Sequence, residues 1–217
     1  ALPILKSYPA QIAQDLLDDT IDIGLVPVAI MPLLSNPQIV SKYVIGTEGE
    51  VASVALFSQV PMDQIEKVYL DYQSRTSVQL AKVLLSKYWN KEVEFLIATE
   101  GYINEISGTT AGVIIGDRAL ACLNRFEHIY DLGLAWKART GLPFVFAAWV
   151  ANKPIPAEFM EAFDAANEYG LKHLDEVIAL IPTTEQVYDL HKYYTENISY
   201  ELTPEKRKGL DKFLEAL

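Results

Sequence analysis

Short apolar runs of strand length and segments of helical period take turns along residues 11–150. Asp22–Val26, Lys42–Ile45, Ala52–Phe57, Lys67–Leu70, Glu92–Ile97, Ala111–Ile115, His128–Leu132 and Pro143–Val150 read as strands. A glycine-bearing turn around Gly46 and Gly49 separates the second from the third. Between the strands, Gln11–Asp18 carries Ile12, Ala13, Leu16 and Leu17 at helical spacing. Ser74–Tyr88 puts Val78, Ala81, Leu84, Leu85 and Tyr88 on one face behind Ser74 as N-cap, and Leu134–Arg139 is a short helix stopped by Gly141. From Pro156 the chain is helical: Pro156–Leu180, Thr184–Tyr194 with a cap at Thr184, and Pro204–Leu217 with Pro204 in the first turn. This order predicts an α/β fold with a mostly parallel sheet. No glycine- or proline-rich linker divides the chain, so two lobes would have to be joined by strands. Ala52–Phe57 and Phe144–Val150 are the natural crossing strands.

Charge and motif content narrow the function. Acidic residues outnumber basic ones by 29 to 18, a formal net charge of −11, and the basic residues are scattered. Nucleic-acid binders and partners of anionic membranes need a basic face, so both are disfavoured. No run reaches the roughly 18 apolar residues of a membrane span; Ile21–Leu34, the most apolar stretch, is broken by Pro27 and Pro32. The single cysteine, Cys122, rules out an internal disulfide, and His128, His173 and His191 do not fall at metal-ligand spacing. G-x-G-x-x-G, Walker, H-E-x-x-H and G-x-S-x-G patterns are all missing from the sequence. Cys122 reads as a core helix residue, the histidines as structural or surface groups, and Trp89 with Tyr193-Tyr194 as packing aromatics.

Two strand-to-helix junctions carry the chemistry. Ser74-Arg75-Thr76-Ser77 opens the strongest helix, where free backbone N–H groups and the positive end of the helix dipole favour an anion. An N-cap with a solvated arginine is the plain alternative. Gly116-Asp117 joins a strand to the helix-like Arg118–Leu123, where the glycine permits close backbone approach and Asp117 is free to cap or to bind a hydroxyl. Gly46–Gly49, leading into Ser53, and Thr140–Phe144 are weaker candidates for cleft walls. These residues describe a small-anion binder.

Asp22-Ile-Gly-Leu-Val-Pro-Val28, Val51-Ala-Ser-Val-Ala-Leu-Phe-Ser58, Ser74-Arg-Thr-Ser-Val78, Ile115-Gly-Asp-Arg-Ala-Leu120 and Tyr130-Asp-Leu-Gly133 occur in that order, followed by Trp136, Thr140-Gly-Leu-Pro-Phe-Val-Phe-Ala147 and Trp149. The series resembles the menaquinone-biosynthesis family of the futalosine pathway, and within it the chorismate dehydratases. The resemblance is strong over residues 8–150 and looser in the helical tail. It implies a two-lobed α/β fold like the type 2 periplasmic binding proteins, with the ligand cleft between the lobes and a C-terminal helical tail. Lobe one would hold residues 1–56 and the return from 146 to 217, and lobe two residues 57–145. The implied reaction is loss of water from chorismate to give 3-[(1-carboxyvinyl)oxy]benzoate in the cytoplasm, without metal or redox cofactor. The small anionic substrate would be the one partner implied, with neither nucleic acid nor membrane.

On this resemblance Ser74, Arg75, Thr76 and Ser77 bind a substrate carboxylate, Ser53 lines the first crossing strand, and Gly116 and Asp117 face the cleft. The proton acceptor is either Asp117, with Glu48 and Glu50 behind it, or the substrate's own enolpyruvyl carboxylate, which is preferred. A family strand bearing a Ser-Tyr-Leu-Asn-Thr-x-Pro-like motif has no counterpart ahead of Tyr8-Pro9-Ala10. Its omission from the sequence is expected, since losing a central strand would expose its neighbours' edges. The competing readings are the pathway's 1,4-dihydroxy-6-naphthoate synthase, which shares the fold, and a non-catalytic binding protein for a small carboxylate.

Overall fold

The computed structural model describes residues 4–182 and 188–217. In chain order these form α1 (Pro9–Leu17), β1 (Ile23–Pro27), a 3-10 segment at Val28–Leu33, β2 (Gln38–Thr47), β3 (Val54–Ser58) and β4 (Lys67–Leu70). Next come α2 (Thr76–Val83), running on as a π-helical turn to Tyr88, then β5 (Glu94–Ile97), β6 (Thr110–Ile115), α3 (Asp117–Cys122), β7 (His128–Asp131) and α4 (Leu132–Thr140). The last part holds β8 (Phe144–Ala151), α5 (Ala157–Lys172), α6 (Leu174–Ala179), α7 (Leu190–Lys192) with a π turn to Asn197, β9 (Ser199–Glu201) and α8 (Pro204–Leu214). The predicted cap at Thr184 lies outside the described residues.

The strands make two sheets, ordered β1-β8-β2-β9 and β5-β4-β6-β3-β7. The chain leaves the first sheet after Thr47, enters the second at Val54 and returns at Phe144. The expectation of mostly parallel pairing is corrected. Only β4–β5 and β4–β6 are parallel among the described residues, and every other pairing is antiparallel. A parallel neighbour needs a long crossover such as the helix between β4 and β5. β3 and β8 instead enter their sheets straight from connecting segments and run against both neighbours.

Gly46 is also corrected from turn to strand. It lies inside β2, where a side chain at its Cβ position would come within 2.7 Å of the Phe144 carbonyl oxygen. The predicted Pro156–Leu180 helix is two helices that break at His173.

Burial follows position in the sheets. Every residue of β3 is buried, as expected for a strand covered on both faces. Trp136 on α4 is fully buried against Tyr88, Phe144 and Phe213, with ring centroids at 6.3, 5.3 and 6.1 Å. The tail reaches this cluster because Thr203 caps α8 by accepting from Lys206 N at 3.2 Å, with Pro204 behind it, which turns Leu210 and Phe213 inward.

Candidate functional site

The first junction is built on Asp71, whose side chain is fully buried at the end of β4. Arg118 Nη2 donates to both of its oxygens, at 3.0 and 2.8 Å, and also to Gln73 Oε1 at 3.0 Å. Gln73 N donates to Asp71 Oδ1 at 2.8 Å. The Tyr102 hydroxyl shares its proton between Asp71 Oδ2, at 2.8 Å, and Val113 O, at 2.6 Å. Burial first, and then the Asp71 carboxylate, push the Tyr102 phenol far up, so it stays protonated. Burial works against the Arg118 cation, but Asp71 outweighs it and the net shift is upward.

This network fixes the turn that leads into α2. Ser74 Oγ accepts from Ser77 N at 3.1 Å, which makes it a cap, although the helix itself begins at Thr76. Thr76 Oγ1 accepts from Ala29 N at 3.2 Å, tying the helix start to the segment after β1. Thr76 and Ser77 are buried. Arg75 reaches Gln14 Oε1 on α1 at 3.4 Å, a long and weak contact.

The second junction meets the segment before β3. Gly116 has φ +63°, a conformation that suits glycine, and its N–H donates to Ser53 O at 2.8 Å. Asp117 is exposed at the first position of α3, directly before Arg118. Ser53 and Gly116 are therefore in contact, and Arg118 links the second junction to the first. The two reserve carboxylates are otherwise placed: Glu48 pairs with the buried Lys206 at 3.0 Å, and Glu50 lies on the turn before Val51.

Spacing gave no signal for two further groups. Val51–Ser53 is a γ-turn, with Ser53 N donating to Val51 O at 2.7 Å and Ala52 at φ +61°. That conformation costs an alanine about 1–2 kcal/mol. Asp131 Oδ2 accepts from Val51 N at 3.0 Å and Ala52 N at 2.7 Å, while Oδ1 caps α4 by accepting from Leu134 N at 2.8 Å. Tyr193, which its spacing marked as a packing aromatic, donates from its hydroxyl to Ser53 Oγ at 2.8 Å. Two surface concavities, of about 450 Å³ around Thr99–Tyr102 and about 400 Å³ around Trp149 and Phe163, include none of the residues expected to bind substrate.

Asp131 carries a pH signature. Burial pushes its carboxyl up to about 6, against the pull of the three backbone N–H donors, and Glu50 adds to the rise. Because the folded value lies above the ordinary 3.8, ionisation of this group opposes folding at neutral pH, and the penalty fades as pH falls through 6 toward 3.8. The gain is roughly 3 kcal/mol. The unfolding free energy of wild type minus that of Asp131→Asn, followed by urea titration, should therefore rise by that order between pH 7.5 and pH 4. A flat difference would assign the proton to another group.

The family described as menaquinone biosynthesis matches residues 2–217. A chorismate dehydratase from Thermus thermophilus is 29% identical over 243 residues, covering 99% of this chain and 86% of the relative. An ABC transporter structure from Parabacteroides distasonis superposes with a TM-score of 0.61 at 16% identity, over 100% of this chain and 80% of that one. The alkanesulfonate-binding protein of Xanthomonas axonopodis pv. citri, bound to MOPS, gives 0.51 at 12% identity, over 96% and 80%. The fold is thus like that of the periplasmic ligand-binding proteins. None of the described helices is long and apolar enough to cross a membrane.

Proposed function

The chain belongs to the menaquinone-biosynthesis family, and from that membership we propose that it is a chorismate dehydratase, a hydro-lyase that forms 3-[(1-carboxyvinyl)oxy]benzoate. The observation that carries this reading is the similarity to the Thermus thermophilus chorismate dehydratase over 99% of this chain and 86% of that one. A soluble biosynthetic enzyme of the cytoplasm is the setting it implies. The two lobes of the proposal, residues 1–56 with 146–217 and residues 57–145, have their boundaries within β3 and β8, the strands at which the chain enters the second sheet and returns to the first, and the substrate lies between them.

In the elimination a ring C–H bond and the C–O bond of the ring hydroxyl break. The C–H electron pair becomes the new ring double bond, and the proton and hydroxide leave together as water. Aromatisation supplies driving force, so the protein's task is to orient the substrate, exclude water and offer donors to the oxygens that gain charge. Ser74, Arg75, Thr76 and Ser77 bind a carboxylate at the start of α2, where backbone N–H groups and the helix dipole favour an anion. Arg75 is free for this because its contact with Gln14 is weak. Ser53 lines the cleft from the first crossing strand and Gly116 faces it from the second lobe, a reading supported by the hydrogen bond between them.

The substrate's enolpyruvyl carboxylate takes the ring proton, and Asp117 is the alternative base. Exposure of Asp117 and its place at the edge of α3 support the substrate-assisted route. Incubation with chorismate, followed by ultraviolet absorbance and product mass, tests the reaction. Binding without dehydration would make the chain a carboxylate-binding protein instead. Asp117→Asn should retain turnover within about threefold of wild type, whereas a loss of roughly a hundredfold or more would make Asp117 the base.

A further inference from the structure

We propose that Asp131 and Tyr193 are positioning residues that aim the Ser53 hydroxyl at a substrate oxygen, one through the backbone and the other through the side chain. The inference rests on the dehydratase reading and assigns roles to two residues outside its binding set. Ala52 carries the backbone argument. Asp19 and Asn90, the other non-glycine residues with positive φ among those described, are types that tolerate this region. An alanine persists there only when its surroundings over-determine it. They do so here: one Asp131 oxygen holds two successive amides, Val51 N and Ala52 N, while the other holds the first turn of α4. Ser53, the next residue, bonds through N to Val51 O and through O to Gly116 N. Its backbone is fixed on both sides.

The side chain is fixed from the tail. Tyr193 follows α7, and its hydroxyl donates to Ser53 Oγ at 2.8 Å. A phenol has one proton, and here Ser53 receives it. The Ser53 hydrogen is thereby left to point elsewhere, since Tyr193 is its side-chain partner among the described residues. Burial raises the Tyr193 phenol and outweighs the opposing pull of its Ser53 hydrogen bond, with Tyr194 and Asp117 adding to the rise, so the phenol stays neutral. Ser53 is itself buried. A hydroxyl held in this way donates without first reorganising.

The test is a double-mutant cycle on chorismate turnover. Ser53→Ala and Tyr193→Phe should each lower kcat about tenfold, with KM within about twofold and thermal midpoints within about 2 °C of wild type. The double variant should be no worse than Ser53→Ala, because Tyr193 acts through Ser53. Multiplying effects would overturn the proposal, as would a Tyr193→Phe enzyme with normal kcat. Hydrogen exchange, read without substrate, tests the backbone arm: Asp131→Asn should speed exchange at the Val51 and Ala52 amides at least tenfold, and unchanged rates would overturn it. Ala52→Gly tests the same strain with the carboxylate intact. It should raise the thermal midpoint by about 2–4 °C, and an unchanged or lower midpoint counts against a strained turn. A wild-type protein that leaves chorismate untouched overturns the dehydratase reading, whereas the exchange and midpoint results stand apart from it.

Discussion

Asp71→Ala should lower the unfolding free energy by about 3–5 kcal/mol, toward the lower end of that range because Arg118 retains some contact with water. The Asp71 side chain is fully buried and that of Arg118 is 29% exposed. Removing the carboxylate leaves a cation facing an empty acceptor site, strips Gln73 N of its partner and leaves Tyr102 with Val113 O alone. The contrast is the Lys67–Glu94 bridge, whose side chains are 46% and 59% exposed. Breaking that pair should cost far less, because water screens both side chains. Asp71→Asn keeps the shape and one acceptor oxygen but loses the charge, so its cost should fall between the two. Urea unfolding of the four proteins gives the ranking. If Asp71→Ala costs no more than Lys67→Ala, the buried network contributes little. The same variant should raise KM for chorismate, because the Asp71–Gln73 turn leads directly into Ser74.

The parts of this architecture that were legible in the sequence are those governed by local period. β4 starts and ends where its apolar run does, and β8 and α4 differ from their predicted bounds by one or two residues at each end. Pairing direction was not legible, because β3 and β8 take their direction from the passage between sheets and their composition says only that they are buried. Ser74 was readable as a cap, and the Ser53–Gly116 contact joins two motifs singled out separately. The roles of Asp71, Asp131 and Tyr193 were not legible, for a physical reason. Each acts on a partner far along the chain: Asp71 on Arg118, Asp131 on Val51 and Ala52, Tyr193 on Ser53. No window of 11–18 residues contains both members of any of these pairs. The strain at Ala52 was equally hidden, since nothing about an alanine announces a positive φ.

Trp136→Ala should cost about 3–5 kcal/mol, whereas Trp136→Phe should cost about 1–2 kcal/mol. The gap between them follows from what the indole does. Its Nε1 has no hydrogen-bond partner among the described residues, so the side chain stabilises through volume and ring contacts, and a smaller ring that keeps the contacts with Phe144 and Phe213 retains most of the benefit. Alanine leaves a cavity where α4, β8 and α8 share a ring cluster. The consequence should reach the site, because α4 is the helix whose cap is Asp131, and the same carboxylate holds the turn at Val51 and Ala52. Collapse of α4 into the cavity would draw Asp131 away from that turn and release Ser53. Trp136→Ala, assayed well below its midpoint, should therefore lose kcat on chorismate as well as stability, with faster amide exchange at Ala52. Trp136→Phe should leave both near wild type. Equal costs for the two variants would mean that the indole N–H, rather than its volume, is what the core needs at this position.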